Sequence, residues 1–513
     1  MKKRVLSMLL VAAMLPAVLA GCGSKEDPAA SGASGSVAAS AEKRDDINIY
    51  SEGVFTSMDP HGPGAFTYTN LYVMNQIYEP LVMVENDGSI TPVLATEWSI
   101  SEDGKVYSFT LREGVKFHNG EELKGSDVAY SYERAMSLPG LETYYRPIES
   151  VVATGDYTVD VNLKEPFAPM LSYLYYIPIV SEKFASENEL NIKACGTGPY
   201  MLESIDLNLE ATVTAFPDYW KGEASIKTAN FKVITEATTA SVSFESGDLD
   251  LFFCYNTSAY APLAETGKYN TELVAQRHTA VILLNNQVAP LDNKLVRQAL
   301  SHATDRETMI AIAYDGLAAP TYLSANPTCF GVSEDQFYNH YEYDLEKAKA
   351  LLAEAGYPNG LDLGEMTIIG GSYHEKYAQV WQQSLAQIGV TVELVASESA
   401  DADTSAGDYV TATMGESFTS DFAIATKFYS GNASTKTQYN NPVVTELFEK
   451  AAVEMDSEKR LEYYRELIDI VFEECPNIPI FNKQVPWVWD KDLSVSLRSE
   501  ASRPYYVYEM KWN

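Results

Sequence analysis

The stretch "LATEWSISEDGKVYSFTLREGVKFHNGEELKGSDVAYSYERA", residues 94–135, combines two local patterns. Apolar and polar residues alternate within 105–117, which predicts β-strands. The pair Asn119–Gly120 predicts a turn, because both residues tolerate a positive φ. A helix is expected to follow, with Ser126 as its N-cap and Asp127 near the positive end of the helix dipole. The stretch therefore predicts a mixed α and β fold.

Helices and strands of the same kinds are predicted on both sides of this stretch. Asp344 is predicted to cap a helix that Gly356 ends, and another helix is predicted to start at Ser457. Further predictions are a strand at 157–163, a strand opened by "GTGPYM" (196–201), an amphipathic helix at "RQALSHATDRE" (297–307) and a helix at 375–388. Val296, Leu300 and Ala303 are expected to face inward from the amphipathic helix.

The N-terminus has the pattern of an export signal. Basic residues at positions 2–4 precede an apolar segment that is too short to span a membrane in the mature protein. The segment ends in "LAGC" (19–22), which resembles the lipobox of bacterial lipoproteins. We therefore expect residues 1–21 to be removed and Cys22 to carry lipid. The alternative is an ordinary signal peptide followed by a chance cysteine.

Residues 22–46 are rich in Ser, Ala and Gly and too poor in apolar side chains to form a core, so they predict a flexible tether. No later stretch approaches the 18 apolar residues of a membrane-spanning helix. We expect the rest of the chain to lie on the outer face of the cell membrane, on the periplasmic or cell-surface side.

The chain is strongly acidic, with 71 Asp and Glu against 37 Lys and Arg, for a formal net charge of −34. Such a surface repels phosphate backbones, so nucleic acid is excluded as a partner. Attraction of cationic ligands and solubility of an exposed protein are both consistent with this charge.

Motifs of enzymes and metal sites are missing from the sequence. The six histidines form no HExxH or HxH pair, and no GxSxG motif occurs. His118 and His302 are interpreted as structural. We expect no catalytic activity, no cofactor and no bound metal.

The four cysteines after Cys22 contain no CxxC pair, which argues against a zinc ribbon or a dithiol redox motif. Buried thiols are the expectation, and one disulfide is the alternative whose pairing the sequence does not select. These cysteines are Cys195, Cys254, Cys329 and Cys475.

Ten sequence blocks, spread over nearly the whole mature chain, resemble the family 5 extracellular solute-binding proteins, which serve ABC importers of oligopeptides, dipeptides, nickel chelates and some sugars. The blocks are "SMDPHG" (57–62), "IYEPLV" (77–82), the stretch 94–135, "GTGPYML" (196–202), "FPDYWKG" (216–222), "SFESGDLDL" (243–251), "LVRQALSHATDRETMI" (295–310), "YDLEKAKALLAEAGYPNG" (343–360), "LAQIGVTVEL" (385–394) and "ECPNIPIF" (474–481).

The resemblance implies an α/β, two-lobed fold like that of type II periplasmic binding proteins, with three domains and a ligand cleft between the lobes. The lobes would close around the ligand about a hinge formed by two crossovers, near 282–286 and 482–487. The implied domains are domain I at 47–88, 196–281 and 485–513, domain II at 89–195 and domain III at 282–484.

The resemblance also implies positions that line the cleft, and some of them depart from the family pattern. In the family's amine-binding loop, here within 413–431, Glu416 stands where tryptophan is usual and the DPD element is lost. Glu416 or Asp421 would anchor an amine, or both are solvated charges. "GGSYHEKY" (370–377), ahead of the helix at 375–388, lacks the arginine that dipeptide receptors hold for a carboxylate. The candidate ligand-binding residues are Phe66, Thr67, Tyr68, Tyr255, Asn256, Asn286, Tyr373, His374, Glu416, Phe418 and Asp421.

The function implied is a monomeric, lipid-anchored receptor that delivers a small peptide or peptide-like solute to an ABC permease and its ATPase subunits. A receptor for a nickel chelate or a sugar is the alternative within the family. Outside the family, a surface sensor or adhesin without transport and a lipoprotein hydrolase are the competing classes.

Overall fold

The computed structural model describes residues 44–253, 257–325, 329–332, 340–417, 436–498 and 504–513. The export signal, Cys22 and almost all of the tether fall outside these ranges, as do Cys254, Tyr255, Asn256, Phe418 and Asp421.

The first half of the described chain alternates short helices with strands. The strands are β1 Asp46–Ser51, β2 Val82–Val84, β3 Ile90–Pro92, β4 Ala95–Ile100, β5 Val106–Leu111, β6 Ile148–Gly155, β7 Thr158–Leu163, β8 Tyr200–Asp206, β9 Glu210–Ala215, β10 Thr228–Val233 and β11 Leu251–Phe253. The helices are α1 Tyr68–Ile77, α2 Gly125–Ser137, α3 Glu142–Tyr145, α4 Met170–Leu174, α5 Glu182–Glu187, α6 Ala237–Glu245 and α7 Tyr260–Glu265.

The second half contains the two longest strands and the longer helices. The strands are β12 Asn270–Leu284, β13 Ala318–Pro320, β14 Leu361–Ile368, β15 Val390–Ala396, β16 Thr411–Ser417, β17 Asn477–Trp489, β18 Leu493–Ser494 and β19 Lys511–Trp512. The helices are α8 Lys294–His302, α9 Arg306–Ala313, α10 Leu345–Glu354, α11 Tyr373–Ala386, α12 Ala400–Ala406, α13 Pro442–Val453 and α14 Ser457–Glu474.

One large mixed sheet runs through the molecule in the strand order β15-β14-β16-β12-β17-β11-β1-β10-β9-β8, and β13 also pairs with β17. β1 pairs in parallel with β10 and β11, whereas β12 is antiparallel to β16 and β17. A separate antiparallel sheet has the order β4-β5-β7-β6.

The buried apolar residues show two lobes on this sheet. In the first lobe, one cluster surrounds β1 and includes Trp487, and a second is built on the β4–β7 sheet; Phe66 packs against both. In the second lobe, alternate residues of β12 enter two clusters on opposite faces of the sheet, with Ile282 in one and Val281 in the other. The predicted boundaries of the three domains stay predictions.

β12 and β17 run from one lobe into the other. Residues up to Ala275 pair with the first-lobe part of β17, and pairing resumes at Thr279, which lies opposite Asn482. The intervening residues 276–278 form a bulge, a feature that bends a strand and re-aims its side chains. On β12, the change from one lobe to the other occurs at this bulge, before the predicted crossover at 282–286. On β17, the corresponding position lies within the predicted crossover at 482–487.

The lobes also touch far from these strands. The backbone N–H of Ala168 donates to the carbonyl of Ala452 over 2.7 Å. Met455, which follows α13, packs against the core of the β4–β7 sheet. The two lobes are therefore closed on one another in this structure.

Several local predictions are confirmed. Asp344 caps α10 by accepting the Lys347 N–H, Gly356 follows with a φ of 96°, and α14 begins at Ser457. Gly120 has a φ of 85° in the predicted turn. The GTGPYM motif leads into β8, as expected.

Other local predictions are wrong. The strand expected over 105–117 ends at Leu111, because the chain turns at Gly114, where φ is 74°. Ser126 does not cap α2, since Lys124 is the N-cap and its N–H is bound by the Asp127 carboxylate. The helix expected over 297–307 is interrupted, because α8 ends at His302 and Asp305 caps a new helix, α9.

Cys195, Cys329 and Cys475 are buried thiols, as predicted. Within the described ranges, the structure contains no helix with the length and apolar character of a membrane span.

Candidate functional site

The two long strands bring three side chains together at the lobe junction. His278, on the bulge of β12, places Nε2 3.3 Å from the hydroxyl of Tyr373. Lys483, on β17, places Nζ 4.0 Å from the centre of the Tyr373 ring. The phenol ring of Tyr373 is therefore held between an imidazole and an ammonium group, in a cation–π arrangement with Lys483.

Tyr373 belongs to an aromatic wall of the second lobe. It lies in the first turn of α11, not in a loop ahead of that helix as predicted, because Ser372 caps the helix by accepting the His374 N–H. Its ring lies 5.9 Å from that of Tyr314 and 6.1 Å from that of Phe481. Such a wall presents flat apolar faces with polar edges, which suits ligands of mixed character.

Burial sets the charges along this wall. It raises the pKa of Tyr373 well above its ordinary value, and the nearby hydroxyls of Tyr377, Tyr314 and Tyr68 add to this effect. Burial, assisted by the charge of Lys483, lowers the pKa of His374 to about 3, so this imidazole is neutral. Burial also lowers the pKa of the Lys483 ammonium to about 7.

Gly415 on β16 completes the wall at close range. A Cβ atom there would lie 2.6 Å from His278 Nε2 and 3.1 Å from the Tyr373 hydroxyl. Only glycine lets the strand pass this close, so the backbone of β16 helps to hold both side chains in place.

The first lobe contributes a second aromatic group around the start of α1. The Phe66 ring lies 5.2 Å from that of Tyr144 and 5.8 Å from that of Tyr176. Thr67 is exposed at the N-cap of α1, where its side chain makes no capping hydrogen bond. Tyr68 follows and lies close enough to Tyr373 to affect its pKa, which links the two walls.

Three neighbouring side chains of the first lobe each have a buried polar atom without a hydrogen-bond partner in the described part of the chain. They are Glu52 Oε2, Trp487 Nε1 and the Tyr505 hydroxyl. The rings of Trp487 and Tyr505 are 5.7 Å apart, and burial raises the pKa of Glu52 to about 7. Buried polar atoms normally have partners, so these three atoms form an unsatisfied polar cluster inside the first lobe.

Comparisons with known proteins agree with this architecture. The sequence profile described as "Bacterial extracellular solute-binding proteins, family 5 Middle" matches residues 89–439. The chain belongs to this family. It is a solute-binding protein of the kind that serves ABC importers, with the two-lobed α/β fold expected for them.

Individual relatives cover most of the chain. The nickel-binding periplasmic protein of Escherichia coli is 31% identical over 67% of this chain and 70% of its own length. The glutathione-binding protein GsiB of Salmonella paratyphi A is 28% identical over 86% of this chain and 89% of its own length. The DppA protein of Helicobacter pylori, solved with the peptide STSA, is 25% identical, covers 92% of this chain and 98% of its own, and superimposes with a TM-score of 0.75.

Of the predicted ligand-binding residues, the structure brings Tyr68, Tyr373 and His374 to the lobe junction, with Phe66 and Thr67 beside them. Asn286 lies elsewhere. It follows the end of β12, whose last residue, Leu284, is roughly 20 Å along the strand from His278. Its Nδ2 donates to backbone carbonyls, including that of Pro476, so its side chain braces the second lobe.

The acids predicted to anchor an amine are not tested by the geometry. The backbone of Glu416 lies on β16 opposite Thr279, while Phe418, Asp421, Tyr255 and Asn256 lie outside the described residues. His118 and His302 both bind backbone carbonyls, which agrees with their interpretation as structural. The described ranges contain no group of three or more His, Cys, Asp or Glu side chains placed to hold a metal ion.

Sequence reasoning missed His278, Lys483 and the Glu52 cluster. Lys483 lies inside the crossover segment 482–487, for which the resemblance implies only a hinge. The available signal was a lysine between two apolar runs of the same strand, residues 478–481 and 485–489, because lysine is rarely buried without a reason.

Proposed function

We propose that this protein is a lipid-anchored receptor that captures a small peptide or peptide-like solute in the cleft between its lobes and delivers it to an ABC permease. The anchor is the lipid on Cys22, the receptor acts as a monomer, and the permease works with its ATPase subunits. The observation that carries the proposal is the wall at the lobe junction, where the side chains of Tyr373, His278 and Lys483 come together. Tyr68 of the other lobe lies near enough to raise the pKa of Tyr373.

Peptides suit these two walls for chemical reasons. A peptide has apolar side chains that pack on aromatic rings and backbone amides that need hydrogen bonds, and closure around it strips water from both. Two relatives are named for glutathione or solved with a peptide, which supports the same class. A nickel chelate is the second candidate, since the Escherichia coli relative is named for nickel.

Mass spectrometry of solute released from protein purified under native conditions tests the solute class. We expect peptides or peptide-like compounds, and we expect Ser-Thr-Ser-Ala or glutathione to raise the melting temperature of the solute-free protein. Nickel supplied with histidine serves as the competing probe. Release of a metal chelate, together with stabilisation by the nickel probe alone, would replace the peptide proposal with the nickel one.

Metabolic labelling with a fatty-acid probe tests the anchor. Wild-type protein should take up the label and Cys22→Ala should not, because the thiol is the acylation site in a lipobox. Ser31→Ala, a change in the same segment, should keep the label. Equal labelling of the Cys22→Ala protein would refute the anchor without affecting the solute proposal.

A further inference from the structure

We propose that Lys483 is the anchor for a carboxylate group of the solute, so that the receptor selects solutes carrying such a group at the lobe junction. This inference rests on the proposed function and deepens it. It assigns a binding role to a side chain of the inter-lobe strand β17, outside the positions implied by resemblance to the family.

Lys483 lies at the lobe junction without a carboxylate partner among the side chains that the structure describes. The side chain is half-buried and its Nζ lies over the Tyr373 ring. The groups that face it are Tyr373, His374 and, through the Tyr373 hydroxyl, His278. None of these supplies a negative charge at neutral pH.

Other buried cations of the described chain are satisfied within the protein. Arg306 donates to the carbonyls of Thr321 and Pro479, and Arg297 donates to several carbonyls and reaches Glu474. Lys436 pairs with Asp401. Lys483 differs from all three, because the contact that the described residues provide for its ammonium group is the face of one aromatic ring.

The energetic consequence depends on closure. The ammonium group is half-buried in the closed structure and more hydrated when the cleft is open, and a solute that enters the cleft removes its remaining water. A carboxylate replaces the water with a charge-assisted hydrogen bond, whereas a neutral group does so weakly and a cation is repelled. The lowered pKa of Lys483 is consistent with a site whose counter-charge arrives with the ligand.

Calorimetry with matched probes tests the assignment. The probes are Ser-Thr-Ser-Ala with a free C-terminus, the same peptide as its C-terminal amide, and glutathione. Lys483→Met should weaken binding of the free acids at least about thirtyfold, since loss of a buried charge partner has an effect of that size. The wild type should discriminate against the amide, and Lys483→Met should not.

Two further variants separate an anchor from a structural role. Lys483→Arg keeps the charge and should retain most of the affinity, and its affinity should hold between pH 6 and 9 while that of the wild type falls. His278 is present in both proteins and does not explain a difference between them. Lys221→Met removes an exposed lysine that lies 4.6 Å over the Trp220 ring, and it should leave binding unchanged.

The outcomes are distinct. Equal affinity of the wild type for acid and amide, or a Lys483→Met protein that binds the acids normally, overturns the assignment. If none of the probes binds, the solute released from native protein decides: a solute with an acidic group that Lys483→Met no longer retains supports the anchor, and one without an acidic group refutes it. A metal chelate held through its carboxylates would refute the peptide proposal and keep Lys483 as the anchor.

Discussion

Burial of Glu52 couples its titration to the stability of the folded state. Its Oε2 is buried without a hydrogen-bond partner among the described residues, and burial raises its pKa from 4.5 to about 7. The folded protein therefore holds this proton at pH values where the unfolded chain has released it. Stability is lost as the pH rises from about 4.5 to about 7, because the carboxylate must then ionise inside the fold.

Glu52→Gln should remove this loss. The amide has the same shape and no charge, so the free energy of unfolding should rise by on the order of 2 kcal/mol at pH 8 and change little at pH 4. Urea denaturation of the solute-free protein at both pH values measures it. Glu203→Gln, at an exposed position, is the control and should have no effect. A gain that is equal at pH 4 and pH 8 would show that the charge of Glu52 is not the cause.

Lys483 and Asn286 show why single residues are hard to assign from sequence. Both lie near segments expected to form the hinge, and an amide is the more usual ligand-binding group. The structure uses the Asn286 amide for backbone carbonyls and leaves the Lys483 ammonium over an aromatic ring. The role of each side chain is set by neighbouring residues that are distant in the sequence. Local sequence patterns do not contain this information.

Among the elements, regular helices were predictable and irregular joints were not. The apolar period and caps of α10 and α14 lie within their own sequences, so their bounds followed directly. The bulge at residues 276–278 depends on two strands that pass between lobes and on their different lengths. The bulge directs His278 toward Tyr373. Since the bulge was not predictable from the sequence, the contact between these two side chains was not predictable either.

The close packing of the end of α1 against the segment before β8 requires the two glycines of the GTGPYM motif. A Cβ atom on Gly196 would lie 2.0 Å from the carbonyl oxygen of Ile77, and one on Gly198 would lie 2.7 Å from the same atom. The Gly198 N–H donates to that carbonyl, so the motif holds the end of α1 against the start of β8.

Gly196→Ala should therefore destabilise the first lobe severely, because the added methyl group meets backbone that has no room to move. We expect a loss of more than about 3 kcal/mol in the free energy of unfolding, or no folded protein at all. Thermal unfolding followed by circular dichroism measures it. Gly53→Ala is the matched control, since its Cβ would meet only Thr69 Cγ2 at 3.5 Å. A Gly196→Ala protein as stable as this control would contradict the packing argument.

At the scale of the whole molecule, the two-lobed arrangement was predicted from resemblance to the family, because the periodicity of the sequence does not contain it. Alternating patterns predict strands and helices, but the strand order β11-β1-β10 beside β12-β17 joins segments more than 200 residues apart. Family blocks in a constant order carry that long-range information. The two-lobed fold was therefore predictable, whereas the chemistry of its cleft depends on side chains such as His278, Tyr373 and Lys483, which only the fold brings together.

Closure of the lobes is the property that links this fold to capture of a solute. Away from β12 and β17, the closed structure is held by the hydrogen bond between Ala168 and Ala452 and by Met455, whose side chain packs on the β4–β7 core. A ligand that binds between the lobes shifts the population toward this closed state, and its apparent affinity includes the cost of closing.

Met455→Asp should disfavour closure, because it places a charge in an apolar contact that forms only when the lobes meet. Loss of this contact should raise the free energy of closing the lobes by at least about 1.4 kcal/mol. Affinity for the native solute should therefore fall about tenfold or more. In solution scattering, saturating solute should reduce the radius of gyration of the wild type clearly and that of Met455→Asp less. Val453→Asp, two residues away on an exposed side chain, should behave as the wild type. If Met455→Asp binds and contracts as the wild type does, the contact is incidental and closure is governed at the strands β12 and β17 alone.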